Sequence, residues 1–346
     1  MIKRRQTELD LLRIFALLAV IFVHCSGMGI DAAPMTDQNK QIMIFFESIV
    51  TWQIPIYVMI SGRFFLDPER EVSSHKIIKS IWRIVIAFVF WDIVYQIYYV
   101  LSGMYAGLNW KGILSQAMIG PYHFWYLYMT VCMYAIVPFL RRIAVDRRLT
   151  EYFIILFFLF EFITYYGTEL PVVGSTVAEL LVKINFHFTL GYSGYYLLGY
   201  YLYKYGIPDR LEFLQYAFAA VLLITVGFVT VHRALIEGSN EEWYTKYLMP
   251  NIAIEAAAIY TLFTKRVAKY PFSDKAVKWI TKLSEYSFGV YLIHALVIPF
   301  IGMAGISATV ISPLFLVPVA VLCTFVISNI LVGLLRRIPY LGKKIT

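Results

Sequence analysis

The sequence feature that most constrains the fold is an apolar run from Leu9 to Gly29 that carries three ionisable side chains. A helix of about 20 apolar residues is long enough to cross the hydrocarbon core of a bilayer. Asp10, Arg13 and His24 interrupt this run, and ionisable groups inside such a helix are costly unless they are paired or face a cavity. The run therefore predicts a membrane-spanning helix with a functional polar face.

Helical geometry places the three ionisable groups on one face. At about 100° per residue, the step from Arg13 to His24 returns to within roughly 20° of the same direction, and Asp10 lies within about 40° of His24. The rise of about 1.5 Å per residue separates Arg13 from His24 by roughly 16 Å along the axis. A structural alternative is that Arg13 snorkels and pairs with Asp10, while His24 is a hydrogen-bonded core residue.

Composition extends this interpretation to the whole chain. Of its 346 residues, 60% are hydrophobic and only 15% are charged, whereas soluble domains carry roughly 25% charged residues. We therefore predict an all-α, polytopic membrane helical bundle in which residues 1–346 form a single domain. The net charge of +8 is spread over alternate connections, which is typical of membrane topology, and we expect no nucleic-acid partner. The three cysteines show no metal-ligand spacing, and we expect no metal.

Hydrophobic segments predict about ten transmembrane helices. Their expected bounds are 9–29, 42–66, 76–101, 123–140, 152–167, 185–205, 213–231, 247–264, 285–303 and 311–335. Because most Lys and Arg residues then fall on one side, the positive-inside rule predicts that both termini are cytoplasmic. The connection 102–122 is expected to hold a short interfacial or re-entrant piece before its Gly120-Pro121 turn.

Four cations lie near the predicted cytoplasmic ends of three helices: Arg13, Arg63, Lys79 and Arg83. Lys79 and Arg83 are one helical turn apart and are expected to share a face. Phosphate oxygens need several charge-assisted donors, so this cluster suits a polyanionic ligand arriving from the cytoplasm. The alternative is snorkelling towards anionic lipid, which is the better interpretation for Lys79 taken alone.

The histidines are expected farther from the cytoplasmic side of the membrane than these four cations. His24 and His123 are expected towards the outside of the membrane and His294 near mid-depth, and histidine is the side chain best suited to general-base chemistry near neutral pH. Tyr291 shares a helical face with His294. Two further intramembrane carboxylates, Glu161 and Glu255, either relay protons or pair with buried cations, and the sequence leaves this open.

Several segments resemble the acyltransferase 3 family of integral membrane acyltransferases. They are LDLLRIFALLAVIFVH, IPIYVMISG, HFWYLYMTVCMYAIVPFL, GYYLLGYYL and LSEYSFGVYLIH, which occur in the family's order along nearly the whole chain. The resemblance implies an enzyme that moves an acyl group, usually acetyl, from cytoplasmic acyl-CoA to a hydroxyl, commonly on an extracytoplasmic glycan. It also implies that His24 and Arg13 correspond to the family's helix 1 histidine and arginine. Where the family often has two arginines three residues apart, this chain has Ser80 and Arg83.

These observations lead to one enzymatic hypothesis. Acetyl-CoA is the expected donor, with its phosphates held by the four cations, and His24 is the expected base. The candidate catalytic set is His24, Asp10, Tyr291 and His294, and the candidate substrate-binding set is His123, Trp125 and Tyr126. Tyr126, Tyr291 or His294 are the candidates for stabilising an oxyanion. Acetyl or succinyl as the acyl group, and direct transfer or a covalent acyl-histidine, both stay open.

The expected partners are acyl-CoA, a cell-surface polysaccharide or other hydroxyl acceptor, and the lipid bilayer, in a bacterial cytoplasmic membrane. The rival hypothesis is a secondary transporter or exporter of an anionic or glycan substrate that uses the same polar path. Such a transporter predicts paired broken helices and repeat symmetry. The sequence shows neither feature.

Overall fold

A computed structural model describes residues 5–27, 37–184, 191–238, 246–303 and 312–346. The described residues are predominantly α-helical and contain no strand, which confirms the predicted all-α class. In chain order the helices are α1 (Thr7–Ser26), α2 (Gln38–Ser48), α3 (Gln53–Phe65), α4 (Ser74–Leu101), α5 (Trp110–Ile119), α6 (Trp125–Val145), α7 (Arg147–Tyr165), α8 (Gly174–Ile184), α9 (Tyr192–Lys204), α10 (Asp209–Glu237), α11 (Pro250–Lys265), α12 (Asp274–Met303), α13 (Pro313–Leu335) and α14 (Gly342–Ile345).

Each of the ten predicted segments coincides with a helix, or with a helix pair, within the described residues. In that part of the chain, eight helical stretches are long and apolar enough to cross a membrane. The other two predicted segments correspond to α9, which has 13 residues, and α11, which has 16. The number of ten transmembrane helices and the cytoplasmic location of both termini therefore remain predictions. The ends of three predicted segments, at 28–29, 185–190 and 311, lie outside the described residues.

The prediction of one continuous helix over 42–66 is wrong, because the helix is interrupted between the end of α2 and the start of α3. Residues 49–51 are Ile, Val and Thr, whose β-branched side chains lower helix propensity. Pro55 follows in the first turn of α3 and has no N–H to donate to the carbonyl of Thr51. The Trp52 indole donates to the Ile49 carbonyl at 2.9 Å. This hydrogen bond satisfies a carbonyl at the interruption.

The first long helix lies at the centre of the bundle. α1 packs against α2, α3, α11, α12 and α13. In its apolar stretch 67% of the residues are buried, which is the highest share among the eight membrane-length stretches. α12 begins at Asp274, well before the predicted position 285. Hydropathy detects only the apolar part of a helix, whereas the helix itself continues through the polar segment that precedes it.

Helices α3 and α9 cross with their backbones in contact. A Cβ atom at Gly62 would lie 2.0 Å from the Tyr196 carbonyl oxygen, and one at Gly199 would lie 2.3 Å from that of Met59. Small residues allow this close approach in membrane bundles. The crossing fixes α3, which carries one wall of the site described below. The short piece expected in 102–122 is α5, in which no residue is buried.

Candidate active site

A cavity of about 450 Å³ lies between α1, α3, α4, α6 and α12, and we call it the arginine cavity. Three guanidinium groups line it, from Arg13, Arg83 and Arg336. Its remaining polar walls are tyrosines and small hydroxyl residues: Tyr57, Tyr126, Tyr134, Tyr291, Ser61, Ser80, Thr130, Ser284 and Ser287. One carboxylate, Glu285, also lines it and pairs with Arg5 at 2.9 Å. The cavity thus combines cations with aromatic walls.

Arg13 is held in place by a buried network. Its guanidinium donates to Ser284 Oγ at 2.9 Å and to Asp10 Oδ1 at 3.2 Å, and Ser284 Oγ donates to the same carboxylate at 2.7 Å. Arg5 also donates to Asp10, at 2.6 Å. Because Arg5 also pairs with Glu285, two guanidinium groups and two carboxylates balance in this network. Asp10 lies roughly 21 Å below His24 along α1, so the structure places it with Arg13 and far from the imidazole.

The other two arginines of the cavity bond to main-chain oxygens. Arg83 donates to the main-chain oxygen of Thr346 at 3.3 Å, and Arg336 donates to the Glu285 carbonyl at 3.1 Å. Among the described residues, no Asp or Glu side chain forms an ion pair with either arginine. No acidic side chain of the described residues therefore neutralises either guanidinium. Arg336 could not be predicted as a site residue from the sequence, because only the packing of α13 against α12 brings it to the cavity.

Two predicted donor-binding cations do not line the arginine cavity. Arg63 donates to Asp67 at 2.8 Å and stacks over the Tyr203 ring, with 3.5 Å from its guanidinium carbon to the ring centroid. The Lys79 side chain is exposed. On α4, Ser80 and Arg83 are the pair that faces the cavity, and Lys79 is rotated by about 100° from Ser80.

Three histidines from different parts of the chain meet beyond the tyrosine wall. The ring centroid of His294 lies 5.1 Å from that of His24 and 5.2 Å from that of His123, and the His24–His123 distance is 6.4 Å. His24 is half-buried, whereas His123 and His294 are buried. Within the described residues, no group of three or more His, Cys, Asp or Glu side chains is arranged to hold a metal ion.

Tyr291 connects the arginine cavity to this histidine cluster. Its ring lines the cavity and lies 5.7 Å from His123 and 5.8 Å from His294. Its hydroxyl donates to the His123 carbonyl, while its own carbonyl lies 2.6 Å from His294 Nδ1. Because a carbonyl only accepts, Nδ1 of His294 must carry a proton. The Nε2 lone pair of His294 is buried and has no partner in the described part of the chain.

Helices α1 and α12 contact each other both at the arginine cavity and at the histidine cluster. Arg13 on α1 meets Ser284 on α12, and His24 on α1 meets His294 on α12. The steps along the two helices are nearly equal, so the helices run side by side between these contacts. Arg13 and His24 therefore both face α12, as the predicted polar stripe requires.

A second cavity, of about 320 Å³, lies at the other end of α1. Its lining combines aromatic and charged residues: Val23, Glu47, Thr51, Tyr165, Tyr192, Lys246, Tyr247 and Leu248. Trp125 stacks on Tyr247, with centroids 5.4 Å apart, and the next residue, Tyr126, lines the arginine cavity. Trp125 and Tyr126 thus stand between the two cavities. We call the second one the aromatic cavity.

Glu161 and Glu255, which the sequence predicts to lie in the membrane, do not line the arginine cavity. Glu161 is buried and accepts a hydrogen bond from the Gly191 backbone N–H at 2.8 Å. Glu255 is buried on α11. Among the described residues, neither forms an ion pair with a cation. Of the two alternatives left open by the sequence, the structure does not show pairing with a buried cation.

Comparison with known protein families adds an independent observation. A family model described as an acyltransferase domain, that of the acyltransferase 3 family, matches residues 6–332. No curated protein and no solved structure matches the chain. The family match includes α1, with Arg13 and His24, and extends through most of α13. The chain therefore belongs to the acyltransferase 3 family of membrane acyltransferases.

Proposed function

We propose that this membrane acyltransferase moves an acyl group, in the first instance acetyl, from cytoplasmic acyl-CoA to a hydroxyl of an extracytoplasmic or cell-envelope glycan. The observation that carries the proposal is the path from the arginine cavity to the histidine cluster. A polyanionic donor fits the end with three guanidinium groups, and its reactive end fits beside Tyr291 and the histidines. A bacterial cytoplasmic membrane is the proposed location.

The donor site is assigned to three arginines. Arg13, Arg83 and Arg336 surround one cavity, and charge-assisted hydrogen bonds to phosphate oxygens are about twice as strong as neutral ones. The neutral pantetheine arm would then run along the tyrosine walls towards the histidines. Asp10 acts here as a positioning residue for Arg13. Arg63 and Lys79 are left out of this donor site because they do not line the cavity.

His24 is assigned the role of general base. It removes the proton of the acceptor hydroxyl while that oxygen attacks the thioester carbonyl carbon, and the carbon–sulfur bond then breaks. The imidazolium returns the proton to the CoA thiolate. His24 suits this role because it is the half-buried histidine of the cluster. A covalent acyl-histidine would divide the same transfer into two steps.

The histidine tautomer separates the candidate oxyanion donors. A neutral His294 ring with Nδ1 protonated has only a lone pair at Nε2, so it accepts a hydrogen bond there and donates none to an oxyanion. We assign His294 to orienting His24. The hydroxyl of Tyr291 is engaged by the His123 carbonyl. Tyr126, which also lines the cavity, is the proposed oxyanion donor.

The aromatic cavity is the proposed entrance for the acceptor. Tyr165, Tyr192 and Tyr247 line it with Glu47 and Lys246, and aromatic rings beside polar groups suit the apolar faces and hydroxyls of a sugar. Trp125 stacks on Tyr247 at its inner side. An acceptor in this cavity would approach His24 from the side opposite the donor.

Mass spectrometry of surface polysaccharide tests the proposal. Cells expressing the wild-type chain should carry an acyl group that is absent when His24→Ala is expressed. His232→Ala is the matched control, because His232 is an exposed histidine on α10 and its loss should leave acylation intact. Release of free CoA by membranes, dependent on His24, distinguishes an enzyme from a transporter. Acylation that persists in His24→Ala would overturn the assignment.

A further inference from the structure

A separate groove lies at the ends of α12 and α13, outside the arginine cavity. Its volume is about 640 Å³, and we call it the α12–α13 groove. Four cations line it: Lys282, Arg336, Arg337 and Lys343. Only Arg336 and Glu285 are shared with the arginine cavity. The groove lies at the same end of the bundle as Arg13, because Glu285 pairs with Arg5.

The charge of the groove is not neutralised by the protein. In the described part of the chain, none of the four cations forms an ion pair. Glu285 is the carboxylate in the lining, and its partner at 2.9 Å is Arg5, which lies outside the groove. A positively charged concave surface of this size therefore has the charge that complements an anionic group.

Aromatic rings hold two of the cations against the groove wall. The Lys282 amine lies 5.2 Å from the ring centroid of Trp279 and 5.8 Å from that of Tyr286. The Arg336 guanidinium carbon lies 4.9 Å from the centroid of the same Tyr286 ring. Trp and Tyr are enriched where a membrane protein meets the headgroup region. These contacts place the cations beside rings typical of that depth.

The turn into α14 positions the cation on the far side of the groove. A Cβ at Gly342 would lie 2.2 Å from the Leu335 carbonyl oxygen, so the chain is packed closely against the end of α13. The Trp91 indole donates to the Ile345 carbonyl at 2.7 Å. Lys343 therefore lies on a segment held by contacts on both sides of it, and it lines the groove together with Lys282.

The groove also has apolar lining residues that are open to the surroundings. Trp279, Ile330 and Leu334 line it and are 54%, 57% and 52% exposed. In a membrane protein such residues are covered by lipid chains. Phosphate alone would use only the cationic part, whereas a phospholipid uses both parts.

We propose that the α12–α13 groove binds an anionic phospholipid, with its phosphate among Lys282, Arg337 and Lys343 and an acyl chain along Ile330 and Leu334. Basic pockets between transmembrane helices are known to bind anionic headgroups. The proposal goes beyond acyl transfer and does not depend on it. Because Arg336 borders both cavities, the lipid phosphate would lie directly behind the donor site.

Native mass spectrometry of the full-length, delipidated protein in detergent tests this proposal. Phosphatidylglycerol, phosphatidylcholine and inorganic phosphate are titrated separately at equal concentrations. We expect one saturable phosphatidylglycerol adduct per chain, with neither of the other two reproducing it. A site that takes inorganic phosphate as well as phosphatidylglycerol, or phosphatidylcholine as well as phosphatidylglycerol, would overturn the assignment to an anionic lipid.

Charge-matched variants separate a built site from general attraction. The triple variant Lys282→Gln, Arg337→Gln and Lys343→Gln should weaken phosphatidylglycerol binding roughly tenfold or more. The control triple Lys269→Gln, Lys275→Gln and Lys278→Gln removes the same charge from exposed positions outside the groove and should leave binding unchanged. Lys282→Arg with Lys343→Arg should retain binding and shows that the groove folds. If the two triple variants weaken phosphatidylglycerol binding equally, or if neither variant weakens it, the proposal is contradicted.

Discussion

The imidazoles of His24 and His294 lie 5.1 Å apart, centroid to centroid, on two helices that run side by side. His294 Nδ1 lies 2.6 Å from the Tyr291 carbonyl, so a neutral His294 ring accepts at Nε2 and does not donate there. We propose that His294 orients the half-buried His24 beside it. This pair, together with Arg13 lower on the same helix, forms the axis of the proposed reaction path.

Substituting Arg83 should weaken donor use without affecting the fold. In Arg83→Gln one guanidinium leaves the arginine cavity, and hydrogen bonds to charged groups contribute about 1.5–3 kcal/mol. The KM for acyl-CoA should therefore rise roughly 10- to 100-fold, as measured with membranes or purified enzyme. Lys79→Gln, on the same helix but outside the cavity, is the control and should keep the wild-type KM. A larger effect from Lys79 would contradict the assigned donor site.

Asp10→Asn tests whether this carboxylate positions Arg13. The amide keeps the shape but removes the charge that Arg5 and Arg13 share. We expect a lower melting temperature in detergent and a higher KM for acyl-CoA, with kcat less affected, since the histidines lie far away. Glu285→Gln, which removes the exposed pair with Arg5 but leaves the Asp10–Arg13 pair in place, should shift the melting temperature less. A pure loss of kcat in Asp10→Asn would instead favour a catalytic role.

Trp125→Ala should affect the acceptor more than the donor. The indole stacks on Tyr247 beside the aromatic cavity, and aromatic contacts of this kind contribute about 0.5–1.5 kcal/mol. A rise of a few-fold in the acceptor KM, with the acyl-CoA KM unchanged, is the expected kinetic result. Trp110→Ala on the exposed helix α5 is the matched control. If both variants behave alike, the aromatic cavity is not the acceptor entrance.

Gly199→Ala should prevent proper packing of α3 on α9. Its Cβ would lie 2.3 Å from a backbone oxygen, which cannot move aside as a side chain can. We expect a strong loss of monodisperse protein on size-exclusion chromatography in detergent. Gly333→Ala is the control within α13, where the nearest atom would lie at 3.5 Å. Normal yield from Gly199→Ala would show that the helices do not approach so closely.

Sequence reasoning predicted the helices, but not which way every residue faces. Arg13 and His24 lie on one face of one helix, so helical periodicity alone related them correctly. Arg63 pairs with Asp67 four residues later, a local spacing that the sequence does show, whereas its stacking over Tyr203 depends on how α3 packs on α9. Arg336 joins the cavity only through the contact of α13 with α12. Such relations between helices leave no periodic signal in the sequence.

The interruption between α2 and α3 is indicated by local residue types, which a hydropathy pattern does not take into account. Three β-branched residues followed by Pro55 disfavour a continuous helix, yet the segment is apolar throughout. Hydropathy reports which residues suit the membrane and says little about helix continuity. The same limitation explains why α12 begins before its apolar part.

A structure of the protein with a bound thioether analogue of acetyl-CoA would decide whether the proposed reaction path is correct. We predict that the analogue's phosphates lie beside Arg13, Arg83 and Arg336, its chain along the tyrosine walls, and its acyl end in contact with His24. An analogue bound elsewhere, or with its acyl end directed away from the histidine cluster, would contradict it.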